Sequence, residues 1–146
     1  MSDQRVVDAS VAVKWVIEED LSDQAEKFYA DRTNTEPPLI AAPHFPNEVI
    51  NAIHQQRRRG RLSDSLADRA VANFAGFNVE LRTAPDHAAR AYEVAKRFGL
   101  PAIYDALYLV LASDLGADLW TADQRLLNTV GGAAPWVRWI GDYGKD

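Results

Sequence analysis

Residues 100–123 read LPAIYDALYLVLASDLGADLWTAD, and this stretch sets the fold class. Pro101 opens an apolar helix that ends near Gly116. Residues 118–121 then form a strand, and a short helix follows over 123–129. From residue 100 to 112 the only charged side chain is Asp105. A run that apolar is normally buried in the protein, and a buried carboxylate costs several kcal/mol of desolvation unless something pairs with it. No Lys or Arg lies within the run, so the partner comes from elsewhere in the fold or is a metal ion.

The same alternation continues outward in both directions. Residues 5–8 form a β-rich run, followed by helices over 11–18 and 21–31, a polar loop over 33–38 and a second short strand over 39–42. Pro46 opens a helix that runs to about residue 59 and stops at Gly60. A helix over 63–74, a strand over 78–82 built around Val79 and Leu81, and a helix over 85–98 ending at Gly99 lead into the apolar helix. Residues 136–140 give a fifth strand. Strand–helix alternation of this kind predicts an α/β domain with a mostly parallel sheet covered by helices on both faces. Right-handed crossovers restrict its topology to a few arrangements.

The 146 residues are expected to form one domain, residues 1–146, long enough to bury a real core. Hydrophobic residues make up 47% and charged residues 25%, an ordinary globular composition. The absence of cysteine excludes disulfides and thiolate metal sites and fits a cytoplasmic address. The first ten residues, MSDQRVVDAS, predict no secretory leader, and the 13-residue apolar run is too short to span a membrane. A net charge of −5 argues against bulk attraction to nucleic acid, so any such contact needs a local patch or bound cations. Arg57, Arg58, Arg59 and Arg61 form the one obvious basic patch. It is either a solvated helix end or a surface for phosphate or a partner.

Sites in open α/β sheets form at the carboxyl ends of strands, where strand order reverses. Asp8 ends the first strand, Asp123 follows the fourth, and Asp105 and Glu48 lie in first turns of helices. All four acids therefore converge on one edge if the first and fourth strands are neighbours. Ser10 and Thr121 each lie two residues from an acid and could orient a carboxylate or a metal-bound water. Asn51 follows Glu48 by three positions, on the same helical face. Each residue also has a plain structural role open to it. Asp123 and Ser10 suit N-caps, Glu48 complements a helix dipole, and Asp8 suits a turn.

Gathered carboxylates raise one another's pKa, and a divalent cation removes that penalty. Oxygen-only ligands suit hard ions such as Mg²⁺ or Mn²⁺, which activate water and stabilise charge on a phosphodiester. The residues themselves thus predict a metal-dependent phosphodiester hydrolase.

Four segments carry a resemblance: VVDASV at 6–11, NEVINA at 47–52, YDALYLVLA at 104–112 and LWTADQRL at 119–126. Together, in this order, they resemble the motifs of PIN-domain nucleases over nearly the whole chain, and the compact length is most similar to the VapC toxins of type II toxin–antitoxin pairs. The resemblance implies a three-layer α/β/α domain with five parallel strands ordered 3-2-1-4-5. It further implies Mg²⁺- or Mn²⁺-dependent endoribonuclease activity on RNA, a homodimer and a cognate antitoxin. The family's acids fall on Asp8, Glu48, Asp105 and Asp123. Asp8 and Asp105 are then the main metal ligands, Glu48 completes the site or helps activate water, and Asp123 supports a second ion or an outer shell. Ser10, Asn51 and Thr121 match its secondary polar positions.

Three other readings compete with this one. A receiver-type phosphoacceptor needs an acid pair after the first strand, an acceptor Asp after the third and a Lys after the fifth; here the first strand ends with one Asp, the third runs into Arg82-Thr83-Ala84, and no Lys sits at the fifth. A dehalogenase-type phosphatase needs Asp-x-Asp, where this chain has Asp8-Ala9-Ser10. A non-catalytic binding module of the same fold is the remaining rival, against which the intact acids argue. His44, His54 and His87 lack metal-ligand spacing and read as surface or packing residues. The four tryptophans, including Trp136 and Trp139 on opposite faces of a strand, read as packing rather than base-stacking residues.

Overall fold

The computed structural model describes residues 4–33 and 38–145. Most of the loop expected over 33–38 lies outside the described residues. Five short strands, β1 (Arg5–Val7), β2 (Leu39–Ala41), β3 (Val79–Leu81), β4 (Asp118–Thr121) and β5 (Val137–Trp139), form one sheet in the order β3-β2-β1-β4-β5. Every pair is parallel, as β1 shows by placing Val6 opposite Ile40 of β2 and Leu119 of β4. Strand order reverses at β1 and β4, so the crevice at their carboxyl ends is the switch point of the sheet.

Seven α-helices connect these strands among the described residues. Helix α1 (Ala9–Val16) packs on α2 (Ser22–Thr33), α3 (Phe45–Arg58) and α4 (Asp64–Phe74). On the other side α5 (His87–Phe98) packs along α6 (Tyr104–Leu115), which lies on β1 and β4. Right-handed crossovers put these two groups on opposite faces, because the chain moves one way across the sheet to β3 and the other way after it. Helix α7 (Gln124–Val130) precedes β5. The α6 segment is buried at Ala106 and from Tyr108 through Ala112: Tyr108, Leu109, Leu111 and Ala112 share a core with Val6, Val7 and Leu119 of the sheet, while Ala106 and Val110 pack with Ala91 and Ala95 of α5.

Several boundaries differ from expectation for identifiable reasons. Helix α1 starts at Ala9, not 11, because Asp8 caps it. Asp8 has extended backbone, and its carboxylate accepts the Ser10 and Val11 N–H groups. Ser10 therefore sits inside the first turn and is not the cap. Helix α6 starts at Tyr104, not Pro101, because residues 101–103 form a bend ahead of it. Gly99 and Gly116 end α5 and α6 with φ of 65° and 62°, the left-handed conformation that a Cβ disfavours. Strand β3 is an edge strand: Val79 packs on the core while Leu81 is exposed.

Candidate active site

The crevice between β1 and β4 is built on hydrogen bonds made by small polar side chains. Asp8 follows β1, and its Oδ1 accepts the N–H of Ser10 at 3.0 Å and of Val11 at 3.4 Å, together with the Ser10 hydroxyl. Ser10 Oγ in turn accepts the Ala122 N–H at 2.8 Å, across the gap to the segment after β4. It also lies 3.3 Å from Thr121 Oγ1, which accepts the Asp123 N–H at 3.0 Å. Asp123 caps α7, its Oδ1 accepting the N–H of Arg125 at 3.0 Å and of Leu126 at 3.3 Å. The two caps thus join through Ser10 and Thr121, and both acids end up at the carboxyl ends of the two central strands.

The other two acids come from helix starts. Glu48 lies in the first turn of α3 and Asp105 in the first turn of α6. Glu48 Oε1 accepts the Tyr108 hydroxyl at 2.8 Å and stands 3.1 Å from His44 Nε2. His44 Nε2 is also 3.1 Å from the Tyr104 carbonyl. Both neighbours are acceptors, so the ring carries its proton on Nε2, and its buried Nδ1 has no hydrogen-bond partner. The His44 ring lies between Tyr104 and Tyr108, with centroids 5.6 Å and 4.7 Å away.

Electrostatics ties the four acids together. Asp8 is 3% exposed. Burial first, and then the charges of Asp105 and Glu48, push its carboxyl up to about 7 against the pull of bonds from Ser10 and Thr121. Asp105 is also raised, by burial and then by the charges of Asp123 and Glu48, while His44 and Arg125 act in the opposite direction. The nearly fully buried acid is thus Asp8, whereas Asp105, expected to be the buried carboxylate, keeps some exposure where the apolar helix meets the crevice. Among the described residues, no three His, Asp or Glu side chains are already gathered closely enough to hold an ion. Their arrangement accounts for this. Asp8 and Asp123 are drawn to their own helix starts, and Tyr108 and His44 hold Glu48 aside. The donor set itself fits a hard divalent cation: carboxylate oxygens under mutual repulsion, with a buried member lacking a cationic neighbour among the charges that act on it.

Asn51 is exposed and makes no bond to the acids. It lines an open cleft beside them with His44, Asn47, Glu48 and Tyr104. The arginine patch lies at the far end of α3. Arg57 pairs with Asp64 at 3.3 Å and Arg58 bonds Gln55, while Arg59 and Arg61 are exposed. Tyr108 and His44 are the site residues that sequence reasoning passed over. Signals for them existed: Tyr108 stands three residues after Asp105, and His44 four before Glu48, both on-face helical spacings.

The profile of a family described as the PIN domain matches residues 5–132. Ribonuclease VapC12 of Mycobacterium tuberculosis is 34% identical over 127 residues, covering 86% of this chain and 92% of that protein. Ribonuclease VapC3 of Pyrobaculum aerophilum is 28% identical over 123 residues, 83% of this chain and 90% of that protein. Among solved structures, PAE2754 from Pyrobaculum aerophilum superposes with a TM-score of 0.67 at 25% identity, over 94% of this chain and 90% of its own. VapC20 of Mycobacterium tuberculosis, a Sarcin-Ricin loop cleaving toxin, shares the fold with a TM-score of 0.60 at 18% identity, over 82% and 89%.

Proposed function

The chain belongs to the PIN-domain family, and from that premise we propose that it is a metal-dependent endoribonuclease, the toxin of a VapBC-type toxin–antitoxin pair. The observation that carries the reading is the buried Asp8 carboxyl, held near neutrality by burial and by the charges of Asp105 and Glu48 at the switch point of the sheet. An uncompensated buried acid is a standing cost to the fold, and a divalent cation is the partner that its neighbours suit.

Asp8 and Asp105 hold the principal Mg²⁺ or Mn²⁺ in this reading, and Glu48 and Asp123 complete the set. When bound, the ion supplies Lewis acidity toward a phosphodiester and makes water nucleophilic near neutral pH. Ser10 and Thr121 keep Asp8 oriented and fix the segment after β4 against it. Tyr108 and His44 fix Glu48. Arg59 and Arg61 are offered to RNA phosphates, with Arg57 and Arg58 behind them. Ten residues of helix separate Glu48 from Arg58, about 15 Å, so a strand in the crevice reaches the patch within a few nucleotides. The whole chain acts as one domain, in the cytoplasm, as a homodimer held in check by a cognate antitoxin. No helix among the described residues is long and apolar enough to cross a membrane.

The test is cleavage of a mixed RNA pool by the purified protein in Mn²⁺ or Mg²⁺, with an EDTA lane and an Asp8→Ala control. Cleavage that needs both the metal and Asp8 is expected. Cleavage that persists in EDTA, or in folded Asp8→Ala protein, overturns the reading.

A further inference from the structure

The cleft beside Glu48 has a chemistry that the acids do not use. Its volume is about 400 Å³, within the range of small-ligand sites, and its remaining walls are His44, Asn47, Asn51 and Tyr104. Asn47 and Asn51 are one helical turn apart on α3, both exposed, so their amides share a face. Among the described residues neither amide has a hydrogen-bond partner, although each offers a donor and an acceptor. Tyr104 presents a ring that is 54% exposed at the mouth of the cleft. That ring is not a loose surface group. Its backbone carbonyl is held by His44 Nε2, and its face leans on the His44 ring, which leans on the buried Tyr108. No Lys or Arg lines the cleft.

We propose that this cleft is a nucleobase subsite, taking an adenine of single-stranded RNA beside the scissile phosphate, with the base stacked on Tyr104 and read by Asn47 and Asn51. The assignment rests on the ribonuclease reading and adds its substrate preference. Unstacked bases in single strands are recognised by stacking on aromatic rings and by hydrogen bonds to their edges. A side-chain amide matches the adjacent donor and acceptor of adenine at N6 and N7. Guanine shows two acceptors on that edge, which a cationic side chain serves best, and the cleft has none. The shared wall, Glu48, sets the register. Glu48 lines this cleft and also belongs to the acid cluster, so a base held here lies beside the proposed reaction centre.

Two measurements on the full chain test the proposal. The first maps cleavage positions in a random-sequence single-stranded RNA pool in Mn²⁺. Wild type is expected to show adenine enriched at one fixed position relative to the cut, and the Asn47→Ala/Asn51→Ala double variant to reduce that enrichment at least tenfold. Cleavage without base enrichment in wild type, or enrichment that survives the double variant, overturns the subsite while leaving the nuclease standing. The second reads binding alone, by fluorescence anisotropy of labelled heptanucleotides with a central adenine, guanine or uracil on cleavage-deficient Asp105→Asn protein. Tyr104→Ala in that background is expected to weaken the adenine heptamer at least tenfold, and Tyr104→Phe to restore it. Equal binding of all three heptamers, or no effect of Tyr104→Ala, overturns the proposal. If wild type cuts nothing in the pool, the nuclease reading fails and the anisotropy series alone decides the cleft. Circular dichroism checks that the variants remain folded.

Discussion

Replacing Asp8 by Asn is expected to stabilise the metal-free protein at neutral pH. The Asp8 carboxyl stands at about 7 in the fold against 3.8 when unperturbed, a difference of about three units. At 1.36 kcal/mol per unit, ionised Asp8 costs the native state ~4 kcal/mol. The pH course follows from the direction of the shift. Below about pH 4 the carboxyl is protonated in both folded and unfolded chains, and wild type and variant are equally stable as far as this group is concerned. Between about pH 4 and 7 the unfolded chain has lost the proton and the folded chain keeps it. Wild type therefore falls behind by ~1.4 kcal/mol for each pH unit, and the gap levels off above pH 7. Asn retains a side-chain carbonyl to accept the Ser10 and Val11 N–H groups, so the helix cap survives the change. The assay is urea and thermal unfolding of both proteins in EDTA from pH 4.5 to 8. A gap of roughly 10 °C in Tm is expected at pH 8, shrinking toward acid, at ~2–4 °C per kcal/mol for a domain of this size. Saturating Mn²⁺ should then raise wild type and leave the variant unmoved. Equal stability at pH 8, or a gap that does not grow with pH, would refute the argument that Asp8 is an uncompensated buried acid.

Four further outcomes are expected. Asp105→Asn should lose cleavage at least a hundredfold while its unfolding curve shows no loss of stability, since Asp105 is itself raised by burial and neighbouring acids. Tyr108→Phe removes the hydroxyl that holds Glu48, and should lower kcat at a stability cost of about 1 kcal/mol or less, read by parallel kinetics and urea titration. Ser10→Ala strands the Ala122 N–H and deprives Asp8 of a donor, for a loss of about 1–3 kcal/mol in urea unfolding. Arg59→Ala/Arg61→Ala should weaken RNA binding and flatten its dependence on salt by about two phosphate contacts, measured by anisotropy across a salt series.

The apolar helix illustrates both the reach and the limit of reading this chain unaided. Its burial, its stop at Gly116 and the strand after it follow from side-chain hydrophobicity and one residue that tolerates positive φ. Its start does not. Pro101 marked a helix opening by propensity, but the chain first turns through a bend, and only the packed structure decides where the turn ends. Asp8 shows the same limit. The sequence places it at a strand end, but its near-complete burial depends on β4 and α6 closing over it, and these lie more than ninety residues away. The four acids were legible because strand ends and helix starts can be located along the chain. Tyr108 and His44 were not, because one looked like any aromatic in a core helix and the other like an isolated surface ring. Their meaning comes from Glu48, which stands one helical turn after His44 but reaches Tyr108, sixty residues away, only in the folded chain.

The bond from the Ala122 N–H to Ser10, and the pairing of Val6 with Leu119, join the two ends of the crevice across most of the polypeptide. Such distant pairings close late in folding, after the local helices have formed. A growing chain carries Asp8 and Glu48 early, but neither Asp105 nor the strand that brings Asp123 beside Asp8 until most of its length has been made. On the proposed reading, the ribosome, rich in RNA, therefore synthesises this protein in a form whose acid cluster is incomplete. The four acids come together only when β4 has slotted into the sheet beside β1.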